Sequence, residues 1–229
     1  MSTSKLEDQL GGVALAMIFS FMAYREAVEI ADSWAGVSLI GTLAIAGKVA
    51  CLAFLGLVLA LTIVRHDVKS VAAGLEPRLT AIGGTFCLLL LIGFPKGSPP
   101  AAIGVLSNIL IVVGASLSFW CAMRLGRSFA VAAAARQLVV SGPYAHVRHP
   151  LYAAEALTAV GVVLAHWSPA ALAMLIVWGV LQYRRAGNEE KVLAAAFPDY
   201  AVYAAKVPRL IPSLRAYEAE RESPRGSRA

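Results

Sequence analysis

Apolar residues crowd into six runs along this chain, at about 10–24, 36–64, 79–94, 101–123, 151–166 and 168–183, before the composition turns polar. About 20 helical residues cross ~30 Å of hydrocarbon, so the pattern predicts an all-α integral membrane protein with about six transmembrane helices. The second run is long enough to tilt or to bend near Gly47, and the third is short and closed by Gly93, Phe94 and Pro95. Residues 151–183 form one almost unbroken apolar stretch, interrupted by His166, Trp167, Ser168 and Pro169. Proline starts a helix more readily than it continues one, so this stretch predicts a C-terminal helical hairpin. Beyond it, residues 186–206 have helical character broken near Pro198, which predicts a short cytoplasmic helix. The expected organisation is 1–123 as N-terminal membrane helices, 124–215 as the region carrying polar chemistry and the last hairpin, and 216–229 as a mobile charged tail.

Composition supports a bilayer setting. Of 229 residues, 59% are hydrophobic and 15% charged, with a mean hydropathy of +0.69, too apolar for an ordinary soluble domain. Cys51, Cys87 and Cys121 fall inside apolar runs without CxxC spacing and read as small buried hydrophobes, so neither a disulfide framework nor a metal site is expected. The first apolar run lacks a convincing small-residue cleavage site and is expected to be retained. The small residues of "AAIGVLSN" and "VVGAS" fit close helix packing.

Charge predicts orientation. Arg65, Lys69 and Arg78 follow the second run, Arg124, Arg127, Arg136 and Arg148 the fourth, and Arg184, Arg185, Lys191, Lys206, Arg209 and Arg215 the sixth. The connections between them carry little basic charge, which puts both termini in the cytoplasm. The net charge of +6 is accounted for by anchoring near anionic lipid, so nucleic acid is not an expected partner. Lys48, near the middle of the second run, is expected to have a structural partner, with Glu155 one option.

Two polar clusters then share the cytoplasmic face. In "GPYAHVRHPLY" (142–152), Pro150 suits the first turn of a membrane helix, leaving Tyr144, His146, Arg148, His149 and Tyr152 around its entrance. Unpaired amides there can receive an anion, although an interfacial belt of aromatic residues is the bland alternative. In "YRRAGNEEKVLAAAFPDYAVY" (183–203), Glu189 and Glu190 point about 100° apart, so one can bind a ligand while the other orients Arg185 or Lys191. Glutamates favouring the N-terminal dipole of a solvated helix are the alternative reading. Glu155, one turn inside Leu151, is a further site candidate.

The order of LGRSF (125–129), GPYAHVRHPLY (142–152), an apolar hairpin, RAGNEE (185–190) and FPDYAVYAAKVPRLIP (197–212) resembles the isoprenylcysteine carboxyl methyltransferase family and its phospholipid methyltransferase relatives. The resemblance covers about the last 90 residues. It implies S-adenosylmethionine bound by His149, Tyr152, Glu189 and Glu190, with Tyr144, Tyr200 and Tyr203 nearby. Arg185 matches the arginine before the acidic pair. A carboxylate or thiolate acceptor needs no general base, and Arg185 or Arg148 would hold it. An amine or thiol would need one, for which Glu190 and Glu155 are candidates. The implied acceptor is lipophilic or small, and isoprenylcysteine is one option among fatty acids, aminophospholipids and thiols. An NADPH-dependent membrane reductase of the sterol-reductase type and a non-catalytic lipid-binding relative are the competing readings. Alanine-rich composition and small size favour a bacterial inner membrane over endoplasmic reticulum. Oligomeric state stays open, because lipid-facing and partner-facing surfaces are equally apolar.

Overall fold

The structure, a computed structural model, describes residues 3–33 and 38–212. Seven α-helices account for most of them: α1 (Thr3–Asp32), α2 (Leu39–Val64), α3 (Leu75–Phe86), α4 (Ala101–Leu125), α5 (Pro150–His166), α6 (Pro169–Ala196) and α7 (Tyr200–Lys206). Two short strands, β1 (Ser70–Val71) and β2 (Ala134–Ala135), pair antiparallel with Ser70 opposite Ala135. The charged tail expected from residue 216 lies outside the described residues.

Among the described residues, three stretches are long and apolar enough to cross a membrane: Ile40–Val64, Leu75–Gly93 and Ala101–Ser128. The other three expected crossings depart from that standard for physical reasons. α1 carries Arg25, Glu26 and Glu29 before its end. α5 is apolar but stops after 17 residues, where Trp167 adopts a left-handed conformation (φ 50°). α6 runs for 28 residues, but only its first half is apolar. The hairpin between them forms where expected, with Ser168 Oγ accepting the amide of Ala171 and Pro169 in the first turn.

Three local expectations are corrected. Residues 186–196 are not a separate short helix: α6 continues from the membrane segment to Ala196, because nothing between Tyr183 and Ala196 breaks a helix and Gly187 is tolerated within one. Consequently Glu189 and Glu190 lie well inside a helix, not at an N-terminus where the dipole would favour them. Gly47 does not interrupt α2. It is instead a close approach to α4, where an added Cβ would lie 3.1 Å from Ile111. Lys48 has a partner, but that partner is Glu29 of α1 (3.1 Å), with Ser33 Oγ at 3.4 Å. Glu155 is occupied elsewhere.

Helix packing places the polar region. α1, α2, α4 and α5 lie side by side in that order, and α6 packs on α5, on α3 and on the 3₁₀ turn Cys87–Gly93 that extends α3. The α4–α5 contact is the most extensive. Small residues make it close: Ser107 Oγ donates to the Gly161 carbonyl at 3.0 Å, and a Cβ on Gly114 would meet the Thr158 amide nitrogen at 2.6 Å and the Ala154 oxygen at 2.9 Å. Phe19, Val58, Leu61, Cys121, Ala122, Phe129, Val131 and Leu151 fill the core above that contact, joining α1, α2, α4 and the following loop to the start of α5. Cys87 and Cys121 are buried, as small packing residues would be, and Cys51 is partly so.

The backbone atoms facing Gly114 cannot swing aside, so Gly114→Ala is expected to lower the thermal midpoint of the detergent-solubilised protein, with a cost of about 1–3 kcal/mol for overpacking. Gly56→Ala, in α2, meets nothing within 4 Å and is the control expected to leave the midpoint unchanged or raise it. Equal midpoints for the two variants would refute the close α4–α5 packing.

Candidate functional site

Two stretches far apart in sequence converge where α5 begins. Residues 64–72 pin the loop after α4: Arg127 Nε donates to the Val64 carbonyl (2.7 Å), Arg136 donates to the His66 carbonyl, and Lys69 and Ala72 amides donate to Ala135 and Ala133. A 3₁₀ turn over Gly142–Ala145 follows, entered by Gly142 at φ 63°, a conformation that disfavours a Cβ. Val207–Pro212 then crosses the entrance to α5. The Arg148 amide donates to the Pro208 carbonyl (2.8 Å) and the His149 amide to the Arg209 carbonyl (3.0 Å). These two amides are therefore paired and not open to an anion, whereas the sequence predicts unpaired amides at the entrance.

Side chains from α5 and α6 then interlock. Glu189 accepts a hydrogen bond from the Tyr152 hydroxyl, lies 3.7 Å from Arg185 Nε and 3.9 Å from His149 Nδ1. Glu190 Oε1 gathers His149 Nε2 (3.0 Å), Arg209 Nε (3.1 Å) and Arg148 Nη1 (3.4 Å). A carboxylate only accepts, so His149 carries its hydrogen on Nε2. The imidazole lies parallel to the Tyr152 ring, centroids 5.4 Å apart, and the Arg185 guanidinium sits 4.8 Å from that ring. The two glutamates divide their work as their 100° separation requires: Glu189 orients Arg185, while Glu190 binds the cations of the α5 entrance.

Arg185 is buried and anchors the floor. It donates to the Val131 carbonyl (2.9 Å) and reaches Gln182 Oε1 (3.3 Å) and Thr85 Oγ1 (3.4 Å). Gln182 passes the chain on to Glu155 at 2.7 Å, and an added Cβ on Gly84 of α3 would meet its amide oxygen at 2.6 Å. Neither the Gln182 relay nor the role of Arg209 was signalled by the local sequence. Gln182 lies in the apolar half of α6, and Arg209 lies 19 residues from its carboxylate.

Around these groups lies a small open cleft of about 90 Å³. Of the sequence candidates, Tyr144, Arg148, His149, Tyr152, Arg185, Glu189, Tyr200 and Tyr203 line it. Glu190 and Glu155 do not: one stands behind His149, the other beyond Gln182. His146 is exposed and outside it. Leu125, Leu138, Val139, Leu151 and Leu193 supply an apolar wall. The Tyr200 hydroxyl and the Arg148 guanidinium, both in the lining, lie within reach of one another, although neither the hydroxyl nor Arg148 Nε reaches full hydrogen-bond geometry. The Tyr203 hydroxyl instead donates to the Tyr144 carbonyl at 2.7 Å, and burial pushes its pKa up to about 12. Burial likewise raises Tyr144 and Tyr200, so the three phenols stay protonated at neutral pH.

Burial acts to raise the Glu190 pKa, but the hydrogen bond from His149 and the charges of His149, Arg148 and Arg209 outweigh it, and the carboxyl lies below its usual value of 4.5. A depressed carboxyl stabilises the fold above its unfolded-state value and loses that contribution as pH falls through the lower folded value. Thermal midpoints should therefore fall as pH drops below about 4.5, and Glu190→Gln should flatten that acid limb while lowering the neutral-pH midpoint. An acid limb unchanged by Glu190→Gln would contradict this assignment.

Comparison with known proteins bears on the same region. Residues 102–200 match the family model for phospholipid methyltransferase. Over 120 residues the chain is 36% identical to the cobalt-zinc-cadmium resistance protein CzcN of Cupriavidus metallidurans, covering 52% of this chain and 51% of that protein. It is 30% identical over 120 residues to the nickel-cobalt-cadmium resistance protein NccN of Alcaligenes xylosoxydans xylosoxydans, covering 52% of each. The chain thus spans about half the length of the curated relatives it matches. The matched stretch runs from α4 to the start of α7 and supplies most of the cleft lining, so the similarity to the phospholipid methyltransferase family falls on the segment that carries the site.

Proposed function

We propose that this chain is an S-adenosylmethionine-dependent membrane methyltransferase acting on a lipophilic or small acceptor. The observation that carries the reading is the cleft at the α5 entrance. One carboxylate, two arginines and four tyrosines meet an apolar wall there, within the segment matched to a methyltransferase family.

The lining suits each part of such a cofactor. Glu189 would take an ammonium or a ribose diol, Arg148 a carboxylate, and the Tyr144, Tyr152, Tyr200 and Tyr203 rings an adenine or a sulfonium. When bound, the cofactor supplies a methyl group that an acceptor lone pair captures as the carbon–sulfur electron pair returns to sulfur. The protein's own work is then alignment and exclusion of water. Arg185, clamped by Val131, Gln182 and Glu189, holds the Tyr152 ring and is the group to orient an anionic acceptor. Glu190 and Glu155, set back from the cleft, act through His149 and through Gln182–Arg185 and not as bases on the acceptor. The leucine and valine wall is the side for a lipophilic acceptor. The positive bias of the residues flanking α2, α4 and α6 supports a cytoplasmic setting for the cleft, which on this reading belongs to a bacterial inner-membrane protein.

Calorimetric titration of the protein in lipid nanodiscs tests this reading. S-adenosylmethionine and S-adenosylhomocysteine should bind saturably, and Glu189→Gln should weaken binding by roughly tenfold or more, the loss of a charge-assisted hydrogen bond worth about 1.5–3 kcal/mol. NADPH binding without S-adenosylmethionine binding would replace the proposal with the reductase reading. No binding of either by folded protein would leave the lipid-binding one.

A further inference from the structure

Three residues of α6 at helical spacing, Tyr183, Gly187 and Glu190, form a shallow slot on one face of the helix. The Arg209 side chain lies in it. Its guanidinium is 4.4 Å from the Tyr183 ring centroid and reaches the Tyr183 carbonyl at 3.5 Å, and its Nε donates to Glu190 at 3.1 Å. At Gly187 an added Cβ would lie 3.0 Å from Arg209 Nη2, a tight contact with the tip of this side chain. The same residue's carbonyl receives the His149 amide. Arg209 thus grips the imidazole-bearing residue from two sides, directly by its main chain and through Glu190 by its side chain.

We propose that Arg209 is a positioning residue of the cleft: lodged in the slot at Gly187, it holds Glu190 against His149 and so fixes the orientation and proton of the imidazole that lines the site. The inference rests on the proposed function for its meaning in catalysis, but the geometry it invokes is independent of any cofactor. His149 donates from Nε2 to a carboxylate held in place, leaving Nδ1 3.9 Å from Glu189. A Glu190 freed of Arg209 keeps Arg148, 3.4 Å away, as its other cationic anchor among the described residues, and can rotate off the imidazole. Groups facing Glu190 come from three elements: His149 and Arg148 at the α5 entrance, Arg209 on the crossing segment and Tyr200 on α7.

Two measurements on the full chain in nanodiscs decide it. With ¹⁵N-labelled histidine, His149 is one of four histidines and is assigned by His149→Gln. The native protein should show a single Nε2-protonated tautomer for it, and Arg209→Ala should convert this to an averaged one. Arg209→Lys, which keeps the charge but not the planar contact with Tyr183, should restore it only partly. In parallel, Arg209→Ala should weaken S-adenosylmethionine binding about tenfold. Gly187→Ala should weaken it in the native background and have no further effect once Arg209 is alanine, a coupling that general destabilisation would not produce. A native His149 signal and native affinity in folded Arg209→Ala would overturn the proposal while leaving the proposed function intact. Absence of S-adenosylmethionine binding by the native protein would overturn the proposed function, and the His149 signal would still decide the role of Arg209.

Discussion

Two adjacent carboxylates sit at the polar end of an otherwise apolar helix, and pairing them is the constraint from which the rest of the polar region follows. Glu189 and Glu190 are largely withdrawn from water, where an unpaired charge would be expensive. They are compensated by residues from three directions: Arg185 from their own helix, Arg148, His149 and Tyr152 from the α5 entrance, and Arg209 from the segment after α7. No one of these elements carries a complete set of partners. The network exists only when the C-terminal hairpin is closed and residues 207–212 lie across it.

This accounts for the length of α6. A helix ending at the membrane surface near Tyr183 would leave the glutamates in a loop with no fixed relation to α5. Continuing to Ala196 in one rigid rod carries the membrane packing of Trp178, against Ala159 and Cys87, directly into the alignment of Glu189 and Glu190. The apolar half of the helix and the polar half thus belong to one mechanical unit, and α3 braces it through Glu76, which accepts from Asn188 at 2.7 Å and Arg184 at 3.2 Å. Asn188 and Thr80 add a further bond at 3.2 Å.

The loop after α4 completes the enclosure by a different device. Residues 126–149 contain little regular structure, yet they are held at several points: their backbone by β1 and by Arg185, which donates to the Val131 carbonyl, and the side chains of Arg127 and Arg136 by the Val64 and His66 carbonyls. Buried carbonyls need donors, and side-chain guanidinium groups with several N–H bonds supply them where no helix or sheet does. Arg185 serves both ends, satisfying Val131 above and contacting Tyr152 beside it. Its burial is therefore tied to the shape of the loop as much as to the chemistry of the cleft.

The primary sequence determined a helical, bilayer-suited chain, the break of the last hairpin at Trp167–Pro169, and the association of GPYAHVRHPLY with RAGNEE. Each is written in local information: run length, a proline at a helix start, and the spacing of motif residues. Small residues in the fourth run likewise announced a close contact, which Gly114 and Ser107 make with α5. Tertiary structure alone decided which charges meet. Lys48 pairs with Glu29 and not Glu155, because α1 lies against α2 while α5 lies beyond α4. Glu190 and Glu155 stand behind the cleft where Glu189 enters it, because a 100° step around α6 separates Glu190 from Glu189 and Gln182 stands between Glu155 and Arg185. Arg209 and the pairing of residues 207–209 with the α5 entrance were invisible for the same reason. Ion pairs and main-chain bonds between distant segments depend on three-dimensional distance, and hydrophobic periodicity records only which face of each helix is buried.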